Sequence, residues 1–430
     1  MQKLIDITIC DGKKEIAVFD ALKARGGEVD ARVTERVLEI IADVKARGDE
    51  AVRAYTLKFD KVDLERFEVP REEIGRAAAE CDPVLMKALL AARDNIWAFH
   101  ERQKRQSWYT NGLDGVMLGQ QIRGLHSVGV YVPGGTAPLI SSVMMNVLPA
   151  KIAGVKEIIM VTPPWEGKAN PAILAAAHVA GVDRVFLAGS AWACAALAYG
   201  TETIPKVDKI VGPGNIYVAT AKKLLYGTVD IDMIAGPSEI LVIADETANP
   251  VWLAADLLSQ AEHDVLAGVV LLSTSQNIAE RTVAELERQL AVLPRKDIAT
   301  EALQNNAAVL VCESMTQAVE LANAYAPEHL ELCVANPLEM LGEIENAGSV
   351  FLGHYTPESV GDYYAGPNHV LPTGGTPRFF SPLSVDDFVK KQQFMFYTRP
   401  ALERDLDDIV TIAEAELLRA HANAARVRFE

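Results

Sequence analysis

Four well-separated segments of the chain carry side chains suited to holding a metal ion or moving a proton. They are Gln260 with His263, Glu328 with His329, Asp362 with His369, and Glu416 with His421. The chain has only eight histidines, so half of them stand in such company. Gln260 and His263 close an apolar helical run in Leu258-Ser259-Gln260-Ala261-Glu262-His263-Asp264. An i, i+3 spacing sets them on one helix face, where an amide oxygen and an imidazole converge. Asp362 and His421 would complete a four-ligand N/O set from elsewhere in the fold. Such a set suits zinc or a similar first-row ion better than calcium, which takes oxygen only. Each residue alone reads more readily as a structural polar group; the combination carries the metal reading.

The segment Tyr325-Ala326-Pro327-Glu328-His329-Leu330-Glu331-Leu332 sets two titratable side chains side by side, just before a strand. Extended neighbours point to opposite sides, so Glu328 and His329 are expected to flank a bound molecule or to serve two steps. Histidine is the usual general base near neutral pH, and a glutamate orients or deprotonates water. An ordinary polar pair at a strand edge has the same sequence. His100, His126, His178 and His354 lack such context and read as surface or satisfied structural residues.

These residues need elements to hold them. Glu35 to Ala46 and Pro83 to Glu101 show helical apolar spacing. From about residue 126, strands over Ser127–Val132, Glu157–Thr162, Arg184–Leu187 and Asp208–Val211 alternate with helices. Those helices run over Ile140–Ala153, Ala169–Val179, Ala191–Tyr199 and Ile216–Leu225. A second alternation follows Ala235-Gly236-Pro237-Ser238. Its strands are Ile240–Ala244, Gly268–Ser273, Ala308–Val311, Leu330–Val334 and Ser349–Leu352, with helices between. The fold class is therefore α/β, with two Rossmann-like, doubly wound units in series. Tyr355 to Pro382 is too long for a casual connection and reads as a functional loop. A helical piece from Pro400 to Arg426 follows.

Val132-Pro133-Gly134-Gly135-Thr136, Gly212-Pro213-Gly214-Asn215 and Gly236-Pro237-Ser238 each read as a turn between a strand and a helix. Backbone N–H groups can approach an anion there, at the carboxyl ends of the strands. None completes G-x-G-x-x-G, because Tyr217 stands where the third glycine would be. A dinucleotide and a plain tight turn both fit.

The net charge of −17 argues against nucleic acid or an anionic membrane as partner. Five scattered cysteines without a C-x-x-C pair indicate neither a disulfide framework nor a thiolate zinc site. The N-terminus lacks a signal peptide's apolar stretch, and the best apolar run, Leu139 to Val155, is broken by Pro149 and Lys151. A cytoplasmic protein without a membrane partner is expected.

From about residue 30 onward the chain resembles the histidinol dehydrogenase family. The resemblance rests on Gly129-Val130-Tyr131-Val132-Pro133-Gly134-Gly135, Gly212-Pro213-Gly214-Asn215, Ala235-Gly236-Pro237-Ser238-Glu239 and Leu258 through Asp264. It continues in Ala326-Pro327-Glu328-His329-Leu330, Gly361-Asp362-Tyr363, Gly366-Pro367-Asn368-His369 through Gly375, and Ala420-His421. The resemblance implies oxidation of L-histidinol through L-histidinaldehyde to L-histidine, the last steps of histidine biosynthesis, with two NAD and one zinc per subunit. It implies Gln260, His263, Asp362 and His421 as zinc ligands, the last supplied by the partner of an intertwined homodimer with shared active sites. It implies His329 as general base and Glu328 as activator of the hydrating water. It makes Ser238, His369 and Glu416 further substrate contacts, and Tyr131 and Asn215 contacts to NAD.

The implied organisation is an N-terminal extension over 1–29, a discontinuous α/β domain over 30–125 and 236–380, a Rossmann-like NAD domain over 126–235, and a helical tail over 381–430 that swaps in the dimer. Two positions depart from the family's pattern. Trp192 stands where a glutamine contacts NAD, and Leu417 where a glycine follows Glu416. A paralogue acting on another small polar alcohol would use the same residues. A zinc hydrolase would use the metal and Glu328 but has no need of the glycine turns.

Overall fold

A computed structural model describes residues 4–24, 31–134 and 138–430. Gly135 and Thr136 of the first glycine turn lie outside the described residues, as do 1–3 and 25–29 of the expected N-terminal extension. The first strands are β1 (Ile7–Ile9), β2 (Glu68–Val69), β3 (Trp108–Leu113) and β4 (Val116–Gly124). Next come β5 (Ser127–Tyr131), β6 (Glu157–Thr162), β7 (Arg184–Leu187), β8 (Lys209–Val211) and β9 (Asp230–Ile231). The remainder are β10 (Glu239–Ala244), β11 (Gly268–Ser273), β12 (Ala307–Val311), β13 (His329–Cys333), β14 (Ser349–Leu352) and β15 (Val389–Tyr397).

Two six-stranded sheets dominate, ordered β2-β7-β6-β5-β8-β9 and β1-β12-β11-β10-β13-β14. Without their edge strands β2 and β1, both follow one winding. The chain moves outward from a central strand, then returns to its other side. That reversal falls between β5 and β8 in the first sheet and between β10 and β13 in the second. The strands are short and apolar because helices cover both faces; all six residues of β10 and all six of β11 are buried. The two doubly wound units are as the sequence indicates.

Along β13 the faces separate. Leu330 and Leu332 join the cluster with Leu241 and Ile243. Cys333 joins the opposite cluster with Ile240, Val242 and the helix Pro250–Ala261. His329, Glu331 and Cys333 thus share the face under that helix.

The sequence reading groups residues 30–125 with 236–380. In the fold, the helices Ala31–Arg47, Arg71–Ala79 and Pro83–Glu101 pack on helices of the first sheet, and β2 pairs with β7. Strand β1 pairs with β12 of the second sheet. The tail over 381–430 is not wholly helical. β15 pairs antiparallel with β4 along its full length, in a small sheet with β3, before the helices Arg399–Ala415 and Arg419–Arg426. Its neighbour in that sheet comes from far up the chain, so no local pattern announces it.

One of the three glycine turns departs from expectation. The first two follow β5 and β8 at their carboxyl ends, as expected. Gly236-Pro237-Ser238 instead links β9 to the amino end of β10, between two strands. No helix of the described residues is long and apolar enough to cross a membrane.

Candidate active site

The site is built at the amino ends of β10 and β13, where His329 lies opposite Ile240 in the parallel register. This is the end of the sheet opposite to the usual ligand crevice. Parallel pairing brings both ends of the Glu328-His329 segment onto Glu239. The Glu239 N–H donates to Glu328 Oε2 at 2.8 Å, and its carbonyl oxygen lies 3.0 Å from His329 Nδ1. The two side chains therefore converge, with Nδ1 3.6 Å from Glu328 Oε2. They do not point apart as an ideal strand would have them, because Glu328 precedes the first strand residue.

A carbonyl only accepts, so Nδ1 carries a proton. Nε2 then faces Glu358 Oε1 and Asp362 Oδ1, each at 3.7 Å, and forms no hydrogen bond. Burial opposes charge on this ring, but Glu358, Glu328 and Asp362 outweigh it and hold its pKa well above 6.5. Burial also pushes Glu328 up to about 8, against the pull of His329. Burial would raise Asp362 too, yet its contact with His329 keeps its pKa below the usual range.

Gln260 is fully buried in the last turn of its helix. Its Nε2 lies 3.0 Å from His329 Nδ1, a donor facing a donor once Nδ1 is protonated, and its Oε1 has no partner. An amide unsatisfied in this way costs about 1–3 kcal/mol, which a cation on Oε1 would offset. His263 stands just past the helix end, open to solvent on one side. Its surroundings still push its pKa down by burial, and the charges of Asp362 and His329 reach it. His329, Glu358 and Asp362 offer ligand atoms all within 4.8 Å of one another. Gln260 and Asp362 thus gather at His329 beside Glu328, His263 reaches them through the charges of Asp362 and His329, and the N/O donor set fits a zinc-like ion.

The long loop supplies the remaining wall. Asp362 rides on a π-helical turn, Gly361–Ala365, and the Asp362 carbonyl oxygen lies 3.0 Å from His369 Nδ1. His369 Nε2 lies 3.5 Å from Ser142 Oγ, on the helix that follows β5. Asn368 donates to the Met145 carbonyl at 2.7 Å and contacts His100. His100 is thereby a satisfied structural residue, as expected. Ser238 is half-buried beside Glu239. Glu416 and His421 are exposed on the C-terminal helices and belong to no hydrogen bond or ion pair of this network among the described residues.

Leu417, beside Glu416, has φ 63. The backbone there keeps a conformation that favours glycine, at about 1–2 kcal/mol for a side chain. Leu417→Gly regains that strain against about 0.5–1 kcal/mol of chain entropy. A gain of up to ~1 kcal/mol in denaturant unfolding is expected, and a loss would contradict it.

At the carboxyl ends of the first sheet, the Ser190 N–H donates to the Tyr131 hydroxyl at 3.1 Å. Asn215 caps its helix through the N–H groups of Tyr217 and Val218. Trp192 is buried against Phe59 and Tyr55, with ring centroids 5.5 and 5.9 Å away. Its Nε1, Thr162 Oγ1 and Asp60 Oδ2 are buried without partners, polar atoms a bound nucleotide could satisfy. A Cβ on Gly212 would collide with the Tyr131 carbonyl oxygen, so only glycine lets the two turns meet. Lys222 and Asp232, buried and 2.5 Å apart, hold both ends of Gly212. Asp232→Ala strands the lysine charge and is expected to cost about 3 kcal/mol. An unchanged urea midpoint would refute this.

Glu239 and Glu358 were not singled out in the sequence. No spacing rule joins them to His329; only strand register and the loop's path do.

A family model described as histidinol dehydrogenase matches residues 23–429. A histidinol dehydrogenase of Clostridium acetobutylicum is 54% identical over 421 residues, 98% of this chain and 97% of that protein. One from Bacillus cereus is 53% identical, covering 99% of each chain. The crystal structure of histidinol dehydrogenase from Elizabethkingia anophelis superposes with a TM-score of 0.93 at 42% identity, over 100% of this chain and 99% of that one.

Proposed function

The chain belongs to the histidinol dehydrogenase family, and from that premise we propose that it oxidises L-histidinol through L-histidinaldehyde to L-histidine, using two NAD and one zinc per subunit. The observation that carries the reading is His329. Its Nδ1 is fixed on the Glu239 carbonyl, its unbonded Nε2 faces Asp362, and Gln260, whose Oε1 has no partner, lies against Nδ1.

Gln260, His263 and Asp362, with His421, would hold the zinc. Bound there, the ion would supply Lewis-acid orientation of the amino alcohol and would offset the carboxylate field around His329, and the nicotinamide would supply the hydride acceptor. His329 Nε2 takes the hydroxyl proton in the first oxidation. Glu328 takes a proton from the water that hydrates the aldehyde, which prepares the second. Ser238, His369 and Glu416 orient the substrate's polar groups. Tyr131, Asn215 and Trp192 would line the NAD site, Trp192 through its unpartnered Nε1 or through its packing with Phe59, where the family's glutamine would offer an amide.

The tail supports a shared-site homodimer. Its helices bury little beyond Ala401 and a small cluster around Val410, Ala422 and Ala425. Ile412, Leu417, Phe396 and Met395 stay exposed on the same segment, apolar surface that a second copy would cover. In that arrangement, each tail brings Glu416 and His421 to the other subunit's site. A cytoplasmic location goes with this biosynthetic chemistry.

The test follows NADH absorbance to completion with protein, zinc, NAD and L-histidinol, alongside a chelator-stripped control. About two NADH per histidinol are expected under this stoichiometry, lost on stripping and restored by zinc. Silence with histidinol in a zinc-loaded dimer would overturn the substrate and redirect the search to other small polar alcohols.

A further inference from the structure

Glu331 is a charged residue on a strand whose other four residues are also buried, and the reaction just described leaves it unused. It lies one pleat along from His329, on the same face of β13. Its Oε1 accepts from the Glu358 backbone N–H at 2.9 Å. That N–H opens the short helical turn Glu358–Val360, which runs on into the π-helical turn bearing Asp362. The first N–H groups of a helix have no acceptor within it, so a side chain from another strand fills the vacancy.

The other oxygen, Oε2, is buried with no donor. Asp256, on the helix above, presents its carboxyl to Glu331; with the Cys333 thiol, their ligand atoms all lie within 4.8 Å of one another. Two carboxylates cannot bond to each other. One proton between them makes a hydrogen bond and removes a charge from the core. Burial raises the pKa of Asp256 to about 6. Burial and the Asp256 charge raise Glu331 well above the usual carboxylate range.

The spacing of the two contacts gives this pair its purpose. Asp256 stands four residues before Gln260 on one helix, and Glu358 four residues before Asp362 in the next turn. Glu331 ties the two segments together.

We propose that Glu331 is a positioning residue, sharing a proton with Asp256 and so clamping the elements that carry Gln260 and Asp362 at the spacing a metal ion requires. This rests on the reading of Gln260 and Asp362 as metal ligands. Glu331 touches neither the ion nor the substrate. It acts through the Glu358 backbone on one side and through Asp256 on the other.

The test compares Glu331→Gln with Glu331→Met in the full-length protein. The affinity for Zn2+ is measured by competition with a chromophoric chelator, together with zinc stoichiometry, thermal unfolding, kcat and KM for NAD. A glutamine amide reproduces the protonated pair, its oxygen accepting from Glu358 and its NH2 donating to Asp256. Glu331→Gln is therefore expected to bind zinc within about threefold of the parent, and Glu331→Met about 10- to 100-fold more weakly, with KM for NAD unchanged. Parental zinc affinity in Glu331→Met would overturn the proposal, and so would equal damage from both substitutions. A second zinc equivalent in the parent that Glu331→Gln loses would mean that the pair holds a cation and not a proton, which also overturns it. A parent that binds no zinc would sink the metal reading itself, and this inference with it. Should Glu331→Met not fold, Asp256→Ala against Asp256→Asn makes the same comparison from the more accessible side of the pair.

Discussion

Replacing His329 with asparagine is expected to lower kcat with L-histidinol by about 10²- to 10⁴-fold, the usual worth of a positioned proton acceptor. Zinc content and NAD binding should stay near parental values. An asparagine amide can still donate to the Glu239 carbonyl, which now takes the His329 Nδ1 proton at 3.0 Å, so the strand start keeps its anchor. What disappears is Nε2, the one ring atom free of hydrogen bonds and turned toward Asp362. Zinc content by metal analysis and NAD affinity by tryptophan fluorescence separate a lost base from a collapsed site. Turnover within tenfold of the parent, with the metal retained, would remove His329 from its role.

The second large effect belongs to the dimer. His329→Asn and His421→Ala should each be nearly inactive alone. Mixed, unfolded together and refolded, they should recover about a quarter of the parental rate. Half of the dimers are then mixed, and each mixed dimer holds one site with both wild-type residues. This follows if the exposed tail carrying Glu416 and His421 completes the neighbour's site. If each site used only its own chain, every site would carry one defect and the mixture would stay inactive. Recovery across a tenfold dilution of the refolded mixture would also show that the dimer is long-lived.

Much of this architecture was legible in the chain. The elements Ile140–Ala153, Glu157–Thr162, Arg184–Leu187 and Gly268–Ser273 run as their apolar patterns indicate. Parallel strands buried on both faces are nearly continuous runs of Val, Ile and Leu, and the helices between them repeat at their own period. The residue types for metal and acid–base chemistry were also visible, because Gln260, His263, Glu328, His329 and Asp362 are polar groups set in or beside apolar runs. Strand β15 was not visible, since its partner β4 lies some two hundred and seventy residues earlier and pairing over that distance leaves no local trace.

Composition and local periodicity therefore determined the fold class and the list of chemically able residues. Tertiary structure alone decided their company. The register of β10 against β13 set the Glu239 carbonyl on Nδ1 and turned Glu328 toward His329 when extended-chain geometry would have set them apart. The path of the long loop brought Glu358 to Nε2 and to Glu331. Those contacts depend on angles and distances between elements far apart in sequence, and each is satisfied by a backbone group or a carboxylate that any segment could have supplied. Hydrophobic pattern is a property of neighbours along the chain, whereas the protonation and orientation of a buried histidine are properties of whatever the fold places around it.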